Sequence, residues 1–433
     1  MDDKLLDINV SAKPETIIKV IGVGGGGGNA VSNMYKEGIH DVSFVLCNTD
    51  MQALNGSAVP AKLLLGRNTT HGRGSGNRPE KGREAAEEST EEIRAMLSDG
   101  TQMTFITAGM GGGTGTGAGP IVAKISKEMG ILTVGIVTIP FLFEGRPKIV
   151  KALKGVREMA KNVDALLVIN NERLRKLSAE ERLSVPKAYK KADETLTIAA
   201  KSIAEIITIE LVQNVDFADV DTTMRNSGVA LMSIGYGEGE KRLQHAIDRA
   251  LHNSLLNDND NIFNAKRLLF VIYFSEEAEL GMDEMQDIHD FMARFKTEYE
   301  VKWGFGYDNT LGQQIKITIL ATGFGVDDIL AEERGMEAEM DKKNAEEEER
   351  KRKQQEEEEN EWIFQAYGED MDIHPRAEVT ILTAEQLDDD QMIAVLEETP
   401  TYRRGRVANG AQSAKNVSKG KGNNTPSDFA IQF

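Results

Sequence analysis

Ala108-Gly109-Met110-Gly111-Gly112-Gly113-Thr114-Gly115-Thr116-Gly117-Ala118-Gly119-Pro120 is the stretch whose reading decides the fold. Before it stands an apolar run, Met103-Thr104-Phe105-Ile106-Thr107, that reads as a buried strand. After it, Ile121-Val122-Ala123-Lys124-Ile125-Ser126-Lys127-Glu128 has helical spacing. Glycines at a strand-to-helix turn expose backbone N–H groups, and the new helix aims its positive end at the same point. Thr114 and Thr116 add hydroxyl donors, so the stretch predicts a phosphate cradle. It has no Gly-Lys-Ser/Thr, which excludes a P-loop. A flexible glycine-rich linker is the plainer reading, but linkers do not usually join a tight apolar strand to an amphipathic helix.

Upstream, Ile17-Ile18-Lys19-Val20-Ile21-Gly22-Val23 reads as a strand, and Gly24 to Gly28 with Asn29 turn it into a helix beginning near Ala30. Gly25, Gly26, Gly27, Gly28 and Asn29 thus form a second glycine phosphate loop. Gly22, Gly24 and Gly27 also satisfy a dinucleotide pattern, with Asp50 ending the next strand, so the first 55 residues alone suggest a nicotinamide-binding domain. Val42-Ser43-Phe44-Val45-Leu46-Cys47 is that next strand, residues 71–79 read as a mobile surface loop, and residues 79–98 as one charged helix. Ile131-Leu132-Thr133-Val134-Gly135-Ile136-Val137-Thr138 is a further strand. Strands alternating with helices predict a parallel α/β sheet with ligands at the carboxyl ends of its strands. Two phosphate loops on one edge suit a triphosphate better than a dinucleotide.

Phe141-Leu142-Phe143-Glu144-Gly145-Arg146-Pro147-Lys148 leaves the same edge. A carboxylate there can accept from ribose hydroxyls, and a cation there can meet phosphate oxygens; a solvated loop with incidental charges explains the residues equally well. Ala165-Leu166-Leu167-Val168-Ile169 is a strand ended by Asn170-Asn171, and residues 173–184 are charged and partly helical. A long helix over 186–212, apolar on most sides through Leu196, Ala199, Ile203, Ile206 and Ile207, reads as a buried helix between two domains. Tyr189 and Asp193 stand in its first turns, where an Asp can accept from guanine N1–H and the exocyclic amine and a Tyr can stack on the base. Favouring the helix dipole is the plainer role for Asp193. Asp216 and Asp219 follow the helix, three apart. Roughly twenty helical residues at about 1.5 Å each put them about 30 Å from Asp193. One nucleotide cannot touch both, so carboxylates acting on a triphosphate act on a neighbour's, and such a head-to-tail contact builds an open filament. An ordinary capping loop is the plainer reading of the same pair. Residues 221–322 read as a second α/β or α+β domain, with helices over 241–255 and 282–297.

The 433 residues are divided into an arm (1–14), a nucleotide-binding domain (15–185), the central helix (186–213), a second domain (214–325) and a charged linker with tail (326–433). A net charge of −19 argues against general nucleic-acid binding. The six histidines show no metal-ligand spacing, and the single cysteine, Cys47, fits a reducing cytoplasm. No run is apolar enough to span a bilayer, and Met1-Asp2-Asp3-Lys4 does not open a signal peptide. Residues 332–361 are almost wholly charged or polar, residues 402–422 are basic, and Phe429, Ile431 and Phe433 end the chain as a small apolar cluster that reads as a tethered linear motif.

Gly111-Gly112-Gly113-Thr114-Gly115-Thr116-Gly117 resembles the signature loop of the tubulin/FtsZ GTPase family. Ile21-Gly22-Val23-Gly24-Gly25-Gly26-Gly27-Gly28-Asn29-Ala30, Asn48-Thr49-Asp50, Phe143-Glu144-Gly145 and Asn214-Val215-Asp216-Phe217-Ala218-Asp219-Val220 follow that family's order, over about residues 15–325. The resemblance implies a Rossmann-type GTPase domain joined by a long central helix to a second α/β (α+β) domain, with GTP or GDP and Mg²⁺ as ligands. Gly25 to Asn29 and Gly112, Gly113, Thr114, Gly115 and Thr116 would then hold GTP, Glu144 the ribose, and Asn171, Tyr189 and Asp193 the guanine. Asn214, Asp216 and Asp219 would reach the next subunit's γ-phosphate and order the attacking water. It further implies a cytoplasmic head-to-tail homopolymer in the midcell ring of bacterial division. Membrane adaptors would be met through the tail, with no nucleic acid and no direct membrane insertion. A plasmid-moving filament and, on the first loop alone, a nicotinamide-dependent dehydrogenase are the alternatives. Lys148 stands where the family usually has arginine, and lysine makes no bidentate fork. Arg78, in Gly76-Asn77-Arg78-Pro79, is the candidate to replace it. The family's terminal adaptor peptide is not recognisable.

Overall fold

A computed structural model describes residues 16–39, 41–177, 184–209, 211–213, 215–252, 261–295, 299–326 and 350. The expectations for the N-terminal arm and the tail, and for Asn214, lie outside these residues. The chain divides into two units after Lys342, and every element below belongs to the first.

The strands are β1 Ile18–Val23, β2 Val42–Asn48, β3 Ala61–Leu64, β4 Met103–Gly109, β5 Leu132–Ile139, β6 Ala165–Asn170, β7 Gly228–Gly237, β8 Arg267–Phe274, β9 Glu300–Tyr307 and β10 Ile315–Phe324. They make one ten-stranded sheet in the order β3-β2-β1-β4-β5-β6-β7-β10-β8-β9. All neighbours are parallel except across β10, which runs against β7 and β8. The helices are α1 Gly24–Glu37, α2 Met51–Asn55, α3 Arg67–Thr70, α4 Pro79–Glu88, α5 Thr90–Leu97, α6 Thr114–Glu128, α7 Arg146–Asn162, α8 Asn171–Leu177, α9 Val185–Thr208, α10 Phe217–Met224, α11 Arg242–His252 and α12 Met285–Met292. None of the helices is long and apolar enough to cross a membrane, among the described residues.

Alternation along the strands sends Val20, Phe105, Val134 and Leu167 to one core and Ile21, Ile106, Val137 and Leu166 to the other. The first core takes Leu196, Ile203 and Ile206 of α9 and runs on through Phe270 and Ile319, with α9 packed on α1, β5 and β6. Ile203 and Ile206 are fully buried, and each such side chain contributes roughly 1.5–3 kcal/mol of transfer free energy.

Several expected boundaries move. α1 starts at Gly24 rather than near Ala30, because Gly24 at φ 74° turns the chain at once and the following glycines pack closely on β4. α6 likewise starts at Thr114 and carries Pro120 inside it. Residues 79–98 are two helices that part at Ser89, whose backbone leaves the helix (φ −96°, ψ 22°) while its hydroxyl accepts the Gly66 N–H. The expected loose loop at 71–79 is tied down. Gly72, Gly74 and Gly76 all have positive φ and fold it back, so that Gly74 N–H donates to Thr49 O and Met51 N–H to Gly72 O, each at 3.0 Å. α9 ends at Thr208, not Val212: Ile209 is extended, and Val212 N–H bonds to Phe305 O of β9. Of the helix expected over 282–297, the described residues are regular over Met285–Met292. β3 and β9 were not anticipated.

Candidate functional site

The two glycine loops leave the carboxyl ends of β1 and β4 and touch each other. A Cβ on Gly24 would stand 2.8 Å from Gly115 N, and one on Gly26 3.1 Å from Gly109 Cα. Gly27 and Gly115 are equally constrained, by Thr107 O at 2.1 Å and Gly109 O at 2.6 Å. Gly25, Gly28 and Gly112 differ, since a Cβ on any of them meets nothing within 4 Å. Their side of the loops is a cradle that side chains would fill. Neither α1 nor α6 has a side-chain cap or an acidic residue in its first turn. Two helix N-termini with uncapped N–H groups therefore face the same edge, an arrangement suited to phosphate. The Thr114 hydroxyl bonds with those of Thr49 (2.7 Å) and Ser75 (3.1 Å), and Thr116 Oγ1 accepts the Gly111 N–H (2.9 Å). Both expected hydroxyls thus brace the loop. Gly113 sits against Ser75 and the Arg78 backbone, so the 71–79 segment forms a wall of the cradle. Sequence reasoning missed Ser75 and quoted Thr49 only within Asn48-Thr49-Asp50, with no role of its own. Arg78 itself is exposed, with its N–H on Ser75 O.

Beyond β5, Glu144 accepts the Phe141 N–H (2.9 Å) and pairs with Lys148. Expected to meet ribose and phosphate, these two side chains here also meet each other. The Tyr189 phenol is pushed up to about 12, first by burial and then by its hydrogen bond to Glu144. Phe141 packs edge-on to Tyr189 and stacks on Phe143, each at 5.1 Å between centroids. Tyr189 is 38% and Phe143 60% exposed, so this is an aromatic wall open to solvent. Asp193 lies one helical turn after Tyr189 on the same face of α9. Burial, and after it the charge of Glu194, raises its carboxyl to about 6. Asn171, at the carboxyl end of β6, is buried, and its Oδ1 has no partner among the described residues. A buried unpartnered acceptor is costly unless something donates to it. With Asp193 it offers acceptors without protein donors, which fits a base that carries N–H groups.

Asp216 and Asp219 lie elsewhere. Asp216 caps α10 by accepting the Asp219 N–H (3.0 Å), and Asp219 accepts the Asp216 N–H (3.4 Å). The capping reading of this loop is therefore correct, and the box holds both carboxylates in place. Lys302, near the start of β9, reaches Asp219 Oδ1 at 3.0 Å; this bond raises the lysine's pKa. At its other end α10 is anchored by Arg225, paired with Asp221 and, at 3.8 Å, with buried Asp164, which accepts the Thr133 N–H (3.0 Å). These anchors sit at the amino ends of β5, β6 and β9, while the glycine loops sit at the carboxyl ends. The sixteen helical residues from Asp193 to Thr208, fifteen rises, span about 22 Å, and an eight-residue strand such as β5 about 26 Å. The chain thus carries two candidate constellations at opposite ends of the strands of one sheet. Among the described residues no group of three or more His, Cys, Asp or Glu could by itself hold a metal ion.

Known proteins are similar to this chain over most of its length. The Tubulin/FtsZ family, GTPase domain, matches residues 17–179, and the FtsZ family, C-terminal domain, matches residues 228–325. Cell division protein FtsZ of Porphyromonas gingivalis is 51% identical over 417 residues, covering 94% of this chain and 90% of its own. The Aquifex aeolicus protein of the same name is 42% identical over 75% of this chain and 88% of its own. Among solved structures, the empty FtsZ dimer of M. jannaschii is similar at a TM-score of 0.64 with 38% identity, over 71% of this chain and 88% of that one. CetZ2 from Haloferax volcanii has the same fold (TM-score 0.62, 21% identity, over 75% of this chain and 99% of that one). The chain belongs to the tubulin/FtsZ family of GTPases, and within it to the FtsZ proteins.

Proposed function

We propose that the protein hydrolyses GTP at a site shared between consecutive subunits of a head-to-tail filament, and that this filament works in bacterial cell division. The observation that carries the reading is the separation of the two constellations. The cradle of Gly25, Gly28 and Gly112 takes the phosphates, Glu144 the ribose, and Tyr189, Asn171 and Asp193 the guanine. Asp216 and Asp219 lie too far away to meet the same triphosphate. Stacked head to tail, the carboxylate edge of one subunit faces the nucleotide edge of the next. Phosphoryl transfer needs mainly positioning and charge stabilisation, so a site completed by docking couples hydrolysis to assembly.

In this reading Asp216 and Asp219 accept from the attacking water and orient it toward the neighbour's γ-phosphate. The capping box keeps both on one rigid helix end. Magnesium would be held by the triphosphate, with these carboxylates reaching its water shell, and would supply positive charge to the phosphate oxygens. Homology to proteins named for cell division favours division over a plasmid-moving filament. The tail, with its basic stretch and terminal Phe429, Ile431 and Phe433, is the segment offered to membrane adaptors. Complementation tests the shared site: Asp216→Ala subunits, which keep the cradle, mixed with Gly28→Ala subunits, which keep the carboxylates, must turn over GTP faster than the average of the two variants at the same total protein. Turnover of the mixture equal to that average would show each subunit working alone.

A further inference from the structure

We propose that Lys302 is a positioning residue of the shared GTPase site, holding Asp219 by an ion pair and offsetting the repulsion between the carboxylates and an arriving triphosphate. The inference rests on the reading that Asp216 and Asp219 meet a neighbour's nucleotide. Within the capping box Asp219 turns Oδ2 back onto the Asp216 N–H, and it is the other oxygen, Oδ1, that takes the lysine at 3.0 Å. The lysine is not free to choose this contact. β9 is locked in parallel register on β8 (Lys302↔Leu269), and the chain leading into the carboxylate loop is bonded along the other side of β9 through Gln213↔Phe305. Backbone pairing therefore sets Lys302 beside Asp219.

Both side chains reach solvent, at 56% and 24% exposure. Ion pairs so placed contribute little to fold stability. Their field acts on what docks, and two carboxylates in one helical turn present a repulsive face to a triphosphate. A lysine on an edge strand also blunts stray strand pairing, which is the competing role.

The test uses the full chain as Lys302→Ala, Lys302→Arg and Lys302→Glu. It reads the threshold concentration for GTP-dependent pelleting at low and high potassium chloride. Lys302→Ala should raise the threshold roughly threefold to fivefold at low salt, with the difference shrinking at high salt, and Lys302→Glu should raise it further. Lys302→Arg should stay near wild type, because it keeps the charge. GDP affinity of unassembled subunits and the unfolding midpoint should not move in any of the three. Wild-type thresholds in the Ala and Glu variants would overturn the proposal, as would a change in GDP affinity or unfolding midpoint, or extra lateral aggregation at an unchanged threshold. Failure of the shared-site reading shows separately, as a wild-type protein with no threshold at all.

Discussion

Asp193 gives guanine recognition a pH signature. Its carboxyl is raised from 3.8 to about 6, with burial the larger cause and Glu194 the smaller. A base donating two N–H groups needs the ionised form, so proton and nucleotide compete. The apparent Kd then scales as one plus the ratio of protonated to ionised Asp193, which is about 1.1 at pH 7 and about 11 at pH 5. The expected weakening is about tenfold, and its direction follows from the shift. A raised carboxyl loses its acceptor as pH falls through about 6, whereas an unshifted one stays ionised to about pH 4. The assay is GDP binding by equilibrium dialysis below the pelleting threshold, for wild type and Asp193→Asn. The ligand's own terminal phosphate titrates near pH 6, so the quantity to read is the ratio of the two affinities, from which that contribution cancels. A ratio that is constant from pH 7 to pH 5 would refute the assignment of Asp193 to the base.

The remaining expectations concern the cradle and the base pocket. Gly28→Ala meets open space, so it should leave the fold intact, raise helix stability by up to about 1 kcal/mol, and weaken nucleotide binding. Gly27→Ala puts a Cβ 2.1 Å from Thr107 O and should instead lower the unfolding midpoint sharply; equal stability of the two variants would contradict the cradle geometry. Asn171→Leu removes a buried acceptor that has no partner among the described residues. Nucleotide-free protein should then be no less stable in urea, while GDP affinity falls about tenfold or more; unchanged affinity would remove Asn171 from the site.

The nucleotide edge was legible in the sequence because its chemistry is local. Strand, glycines and helix follow one another without a break, as at Thr107 to Thr114. The element boundaries were less legible, because glycine is a poor helix former and only tertiary packing explains why α1 includes Gly24 to Gly28. β9 was hidden by Gly304 and Gly306, which interrupt its alternation, and with it went Lys302, whose partner lies 83 positions away in the chain (302 minus 219). Residues 71–79, read as a mobile surface loop, also form a wall of the cradle. Glycine-rich composition looks the same whether positive φ is merely tolerated or, as at Gly72, Gly74 and Gly76, used to fold the segment onto Thr49 and Thr114. The split between the two constellations was visible early, because helix rise converts residue count into distance.

On the proposed reading, one subunit's cradle and another's carboxylates make a single active site. Phosphate release per subunit, measured with Mg²⁺ and GTP over a dilution series alongside sedimentation, tests it most directly. Turnover should be near zero below a threshold concentration and rise above it together with pelleted protein, and pelleting should vanish when GDP replaces GTP. Turnover per subunit that stays constant through every dilution, with nothing pelleting, would contradict it.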